Sequence, residues 1–149
     1  MSVAPFPVAQ VLQRLEERKH LIKLIDGAAG LRAALDQAPR VAPAVFVTTA
    51  EIGKPIKYTG PVAIQNCDVT VRCVLFVQNL RGQGSGAAAA EEMAAVIAEV
   101  RGALFGWTPA DAFDALAFQA GRDESYHAGW LCNQQVFGTN YRMQQQVTA

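Results

Sequence analysis

Residues 62–78, VAIQNCDVTVRCVLFVQ, form the longest strand-like run in the chain and decide how the rest must fold. The odd positions Val69, Val71, Cys73, Leu75 and Val77 include no polar residue. The even positions begin polar with Asp68, Thr70 and Arg72, then turn apolar at Val74 and Phe76. Side chains of a strand alternate between two faces, so the odd face must lie on a core. The even face is wet at one end and covered at the other. Such a strand belongs at the centre of a sheet, and the flanking segments have to cover it.

On its C-terminal side, Arg81-Gly82-Gln83-Gly84-Ser85-Gly86 leads into a helix. Met93, Val96, Ile97, Val100 and Leu104 make the helix's core stripe, and Gly106 with Pro109 stops it. Ala90, Ala94 and Ala98 flank the stripe, where another backbone could approach closely. Two further strands are expected, one over Ala115 to Ala120 and one from Tyr126 through Trp130, Phe137 and Tyr141, with Gly121-Arg122-Asp123 as the turn between them. The polar Gln144-Gln145-Gln146 tail is expected to fray.

On the N-terminal side, Glu51 to Pro61 holds two glycines, two prolines, two lysines and a tyrosine. It reads as a projecting arm, or as a solvated loop between antiparallel strands, and loops on a rigid sheet are where partners are met. Ala44 to Thr49 is β-branched and aromatic and reads as a strand. Gly30 to Gln37 is a short helix with Leu31, Ala34 and Leu35 on one side, stopped by Pro39. Leu21 to Ile25 could continue the first helix or form a short strand, and Asp26-Gly27 as a turn signal favours the strand. The first helix opens at Pro7 and buries Val8, Val11, Leu12 and Leu15. The expected fold is α+β: a mainly antiparallel or mixed sheet of about four to five strands, two main helices and one short one.

Composition narrows the function classes. The 149 residues, 1–149, fit one domain with its own core. Net charge is zero, whereas a protein that grips nucleic acid usually carries a basic excess. A neutral chain also lacks the self-repulsion that opposes assembly. No run reaches the ~18–20 apolar residues that span a bilayer, and no basic region precedes an apolar stretch at the N-terminus, so secretion by signal peptide is not expected. The three cysteines are unpaired in spacing, which suits a reducing compartment. Cys67 and Cys73 share a face but lie roughly 20 Å apart at about 3.3 Å per residue, too far for a disulfide or a shared metal. They fill the core.

Candidate chemistry is weak. Gly82-Gln83-Gly84-Ser85-Gly86-Ala87 fits G-x-G-x-x-G/A in form, but a dinucleotide site also needs a parallel βαβ unit and a following acidic residue. Asp123, Ser125 and His127 alternate along one extended stretch. Neighbours on one strand seldom converge to the ~3 Å that a base and nucleophile need. With only His20 and His127 and no cysteine pair, the ligand sets for zinc are missing. Lys54, Lys57 and Arg72 are too few and scattered for a nucleic-acid patch. Trp107, Trp130, Phe137 and Tyr141 suit a core or a subunit interface better than a stacking platform. No cofactor is implied, and an enzyme is the weaker class.

Four features together resemble the tail terminator (tail completion) proteins of long-tailed bacteriophages, including the minor tail protein U type. They are the Val11-Leu12-Leu15 helix with Lys23-Leu24-Ile25-Asp26-Gly27-Ala28-Ala29 and the short alanine-rich helix, then Pro43-Ala44-Val45-Phe46-Val47 leading to the loop from Lys54 to Thr59. The long strand with the helix ending Leu104-Phe105-Gly106-Trp107-Thr108-Pro109 is the third, and Trp130 with Val136-Phe137-Gly138-Thr139-Asn140-Tyr141-Arg142 the fourth. The resemblance implies a non-enzymatic virion protein of the tail or neck, assembled in the host cytoplasm. It would form a ring, expected to be a hexamer, that caps the tail tube, ends its growth and offers a surface for head attachment. The implied partners are further copies of the chain, the major tail tube protein and a head–tail connector or head-closure protein. Genome DNA would pass through the ring without sequence-specific binding, and no membrane is involved. The nearest alternative is another neck component. From exposure, Lys54, Lys57, Tyr58, Arg72, Arg81 and Gln83 are the expected subunit or tube contacts, and a helix or an adjacent protomer should cover Val74 and Phe76.

Overall fold

The computed structural model describes residues 3–79 and 86–146. Its centre is β4 (Val62–Gln78), which pairs along both sides. Cys67, Val69, Val71, Cys73, Leu75 and Val77 are all buried on one face, while Asp68 and Arg72 on the other are exposed. Val74 and Phe76 are buried as well, so both halves of the alternation pattern hold.

Among the described residues six strands join in a mixed sheet. β2 (Ala44–Gly53) and β6 (Trp130–Gln144) flank β4, and β5 (Ala117–Glu124) and the short β1 (Leu24–Asp26) form the borders. The order is β1-β2-β4-β6-β5, antiparallel throughout except that β1 runs parallel to β2. The sixth strand, β3 (Lys57–Thr59), pairs with the start of β4 inside the stretch read as an arm or loop. β2 itself continues to Gly53, well past Thr49, and Gly60 at φ 62° turns β3 into β4. Pairing along β4 supplies the hydrogen bonds that local composition could not promise.

On the first face lie α1 (Val8–Arg18) and α3 (Ala87–Leu104). Val11 and Leu15 of α1 meet Met93, Val96, Val100 and Leu104 of α3 over the odd face of β4. Arg14 donates from Nε to the Ala103 carbonyl at 2.8 Å, satisfying one of the orphan acceptors at the α3 C-terminus, and its guanidinium lies 5.6 Å from the Trp107 ring centre. Ala90, Ala94 and Ala98 remain exposed.

Glu99 of α3 takes the backbone N–H groups of Leu21 and Ile22, tying the α1–β1 link to the helix. Burial pushes its carboxyl up, but N–H donation from Leu21, His20 and Ile22 outweighs that and leaves the pKa below its ordinary value. A depressed carboxylate stabilises the fold above its unfolded value of about 4.3, and that contribution disappears as pH falls through the folded value. Glu99→Gln is therefore expected to lower stability at pH 7 and to converge with the wild type in acid. Urea melts of both proteins at pH 7 and pH 3 check this, and a difference that is the same at both pH values would contradict it.

Among the described residues the second face is covered at one end only, by α2 (Ala28–Asp36). Ala34 of α2 joins Ala44, Phe46, Val74, Phe76 and Cys132 in a smaller core, with Tyr126 and Trp130 packed against it. The Tyr126 hydroxyl donates to the Ala34 carbonyl. Leu35, expected on the core side, is 54% exposed because Ala34 and Leu31 take the inward positions.

Two further expectations are corrected. Gly121-Arg122-Asp123 is not a turn but the second half of β5, opposite Gln135, Gln134 and Asn133. Asn133 donates to Asp123 at 2.9 Å, and the chain reverses instead before Gly129 at φ 82°. The Gln144 to Gln146 tail does not simply fray, since Gln144 ends β6 and Gln145 bonds Ala63 through both its N–H and its side-chain oxygen.

Candidate functional site

β4 is long enough to span about 56 Å at ~3.3 Å per residue, whereas α3 covers only about 27 Å at ~1.5 Å per residue. The sheet therefore runs out beyond the helices. At that end, the last residues of β2, all of β3 and Asn66 of β4 are exposed. Ile52, Ile56 and Tyr58 are 70%, 52% and 66% exposed, a density of large apolar side chains that a protein surface seldom leaves uncovered.

Three of the six residues expected at an interface meet here. Lys54, Lys57 and Tyr58 line an open groove of about 580 Å³ with Ile64, Asn66 and Arg142. Lys54 Nζ lies 3.4 Å from Asp68, and the Lys54 carbonyl accepts from Gln65 at 2.7 Å, which fixes the backbone where β2 leaves β4. Arg72 stands further along the same face, opposite Thr48 and Val136, and is not part of the groove. Arg81, Gln83 and the glycine motif from Gly82 to Ser85 lie outside the described residues.

A second exposed cluster was not legible in the sequence. Phe105 and Phe118 are 67% and 40% exposed and, with Arg101 and Gly102, line a shallow hollow of about 410 Å³ beside β5. The Arg101 guanidinium lies 4.5 Å from the Phe118 ring centre and donates to Gln135 at 2.9 Å. Gln135 in turn donates to Asn133 at 2.7 Å, so the hollow's floor is held by a satisfied polar chain. Phe105 directly follows the last core residue of α3, Leu104, and only the helix ending there turns it outward.

The groups that could suggest catalysis are engaged otherwise. Asp123 accepts from Asn133, and the His127 ring packs on Tyr126 at 4.5 Å. Burial pushes the Cys73 thiol up to about 12, and burial with nearby Glu124 and Asp123 raises Cys132 to about 11. A thiol so far above neutral pH supplies almost no thiolate nucleophile. Glu51 accepts from the Tyr141 hydroxyl and from the Phe6 backbone N–H, pinning the N-terminal segment to the sheet. Among the described residues no three His, Cys, Asp or Glu side chains are grouped to hold a metal ion. No helix among the described residues is long and apolar enough to cross a membrane. The arrangement offers surfaces for contact.

No curated protein sequence matches the chain significantly. Among solved structures it is similar to a chain in the virion of a native gene transfer agent (GTA) particle, at 18% identity and a TM-score of 0.52, over 91% of this chain and 93% of that one. At that identity the likeness speaks for the fold. The family model described as phage tail terminator protein matches residues 1–148, nearly the whole length. This chain belongs to the phage tail terminator family and is a structural protein of the virion tail.

Proposed function

We propose that the protein acts as one domain that assembles into a ring, six copies around, seated on the end of the tail tube. The ring ends tube growth and presents its other side to the connector or head-closure protein, with no catalytic step. The observation that supports this most is the sheet that outruns its helices and leaves Ile52, Ile56 and Tyr58 uncovered. Apolar groups left on a projecting sheet favour contact with another protein. Lys54, Lys57 and Tyr58 line the groove there, and Arg72 lies on the same face; in this reading they touch the tube or the next subunit. Genome DNA passes through such a ring without base-specific contacts.

The test is to polymerise the major tail tube protein with and without this chain. Shorter tubes bearing one extra disc at a single end are expected with it. Tubes of unchanged length and bare ends would contradict the reading.

A further inference from the structure

The ring reading requires two different patches on each copy, because a heterologous contact closes around an axis only when one patch meets another. Resting on that reading, we propose that the β5 border of one copy docks on the uncovered part of the β2 border of the next. Thr49 of the neighbour then stands level with Phe118, its Ala50 with Ala117, and its Ile52 with the Asp114 loop beside Asn140.

Both borders are open. β1 covers β2 only at Ala44, Val45 and Phe46, so β2 is unpaired on its outer side from Val47 to Gly53 among the described residues. Among the described residues β5 pairs with β6 alone, and seven of its eight residues are exposed. The two borders also lie at the same height. Following the pairing across the sheet, Thr49 is level with Val71, Phe137 and Phe118, and Ala50 with Thr70, Gly138 and Ala117. Directions agree as well. Three successive antiparallel pairings make β5 run opposite to β2, so a rotation about an axis along the strands brings them together antiparallel. The bulge between Phe118 and Ala120 interrupts the β5 ladder, which leaves the side chains a large share of the contact.

Charge supports the same pairing. Residues 52–59 carry Lys54 and Lys57 and no acid, whereas residues 105–116 carry Asp111 and Asp114 and no base. Asp114 accepts from the Asn140 side chain at 2.8 Å, and Asn140 is level with Asp68 and Ile52. The acidic loop on one border thus stands at the height where the basic tip begins on the other. Opposite potentials at matching positions fix register and suppress wrong pairings.

Complementation tests the contact. Ala117→Asp with Phe118→Asp spoils the β5 border, and Ala50→Asp with Ile52→Asp spoils the β2 border. Should the substitution at Phe118 unfold the chain, Ala117→Asp alone replaces the pair, and circular dichroism verifies every fold. By analytical ultracentrifugation, each variant alone should associate roughly 30-fold or more weakly than the wild type. An equimolar mixture should stop at a dimer, since one intact patch of each kind remains. Variants that form rings like the wild type, or a mixture no larger than its parts, would overturn this contact while leaving the ring reading intact. A wild-type chain that stays monomeric at every concentration and leaves tube ends unaltered removes the ring reading, and this contact with it.

Discussion

Replacing Phe76 with alanine is expected to cost about 3–5 kcal/mol, the usual range for emptying a buried aromatic site. Phe76 is fully buried on the second face, with its ring centre 5.6 Å from that of Phe46 and 4.5 Å from that of Tyr126. Its neighbours are few, because that core is small and covered by a nine-residue helix. A helix of that length is marginal by itself and relies on packing. The loss should therefore appear first as local opening of α2 and of the segment around Tyr126, before the sheet melts. Hydrogen exchange read by mass spectrometry checks this. Faster exchange in residues 28–36 with the first face still protected is expected, and uniform acceleration across the chain would contradict it.

Phe137→Ala should cost a similar ~3–5 kcal/mol but act on the whole molecule. Phe137 is fully buried in β6, on the face carrying α1 and α3, between Val71 of β4 and Phe118 of β5 in the sheet. Its removal leaves a cavity where three strands and the main core meet. Against a total stability of about 5–15 kcal/mol this is a large fraction, so unfolding should stay cooperative with a lowered urea midpoint. A melt within ~1 kcal/mol of the wild type would show that the site collapses and that the core is less tightly packed than described. Comparing the two variants separates the layers. One loosens a cover, and the other weakens the frame.

The centre of this fold was readable because a strand's two-residue period leaves no freedom once one face is wholly apolar. Val69, Val71, Cys73, Leu75 and Val77 had to face inward, and the break in polarity after Arg72 marked where α2 begins to cover the second face. The α3 stripe was legible for the same reason at the helical period. What escaped was set by partners distant in sequence. Gly121 to Asp123 has turn composition, yet β6 pairs with it. Lys57 to Thr59 is too short to announce a strand until β4 lies beside it. In the candidate site, the lysines and Tyr58 were legible as exposed polar and aromatic groups in a glycine- and proline-rich stretch. Phe105 and Phe118 were not, since nothing local distinguishes an outward phenylalanine from a buried one.

The most direct measurement of the central claim is the distribution of tail lengths in phage that lack this protein. Capping of the tube predicts tails that grow past their normal length, broadly distributed and without heads, and restored by adding the wild-type chain. Headless particles with tails of normal, uniform length would contradict it.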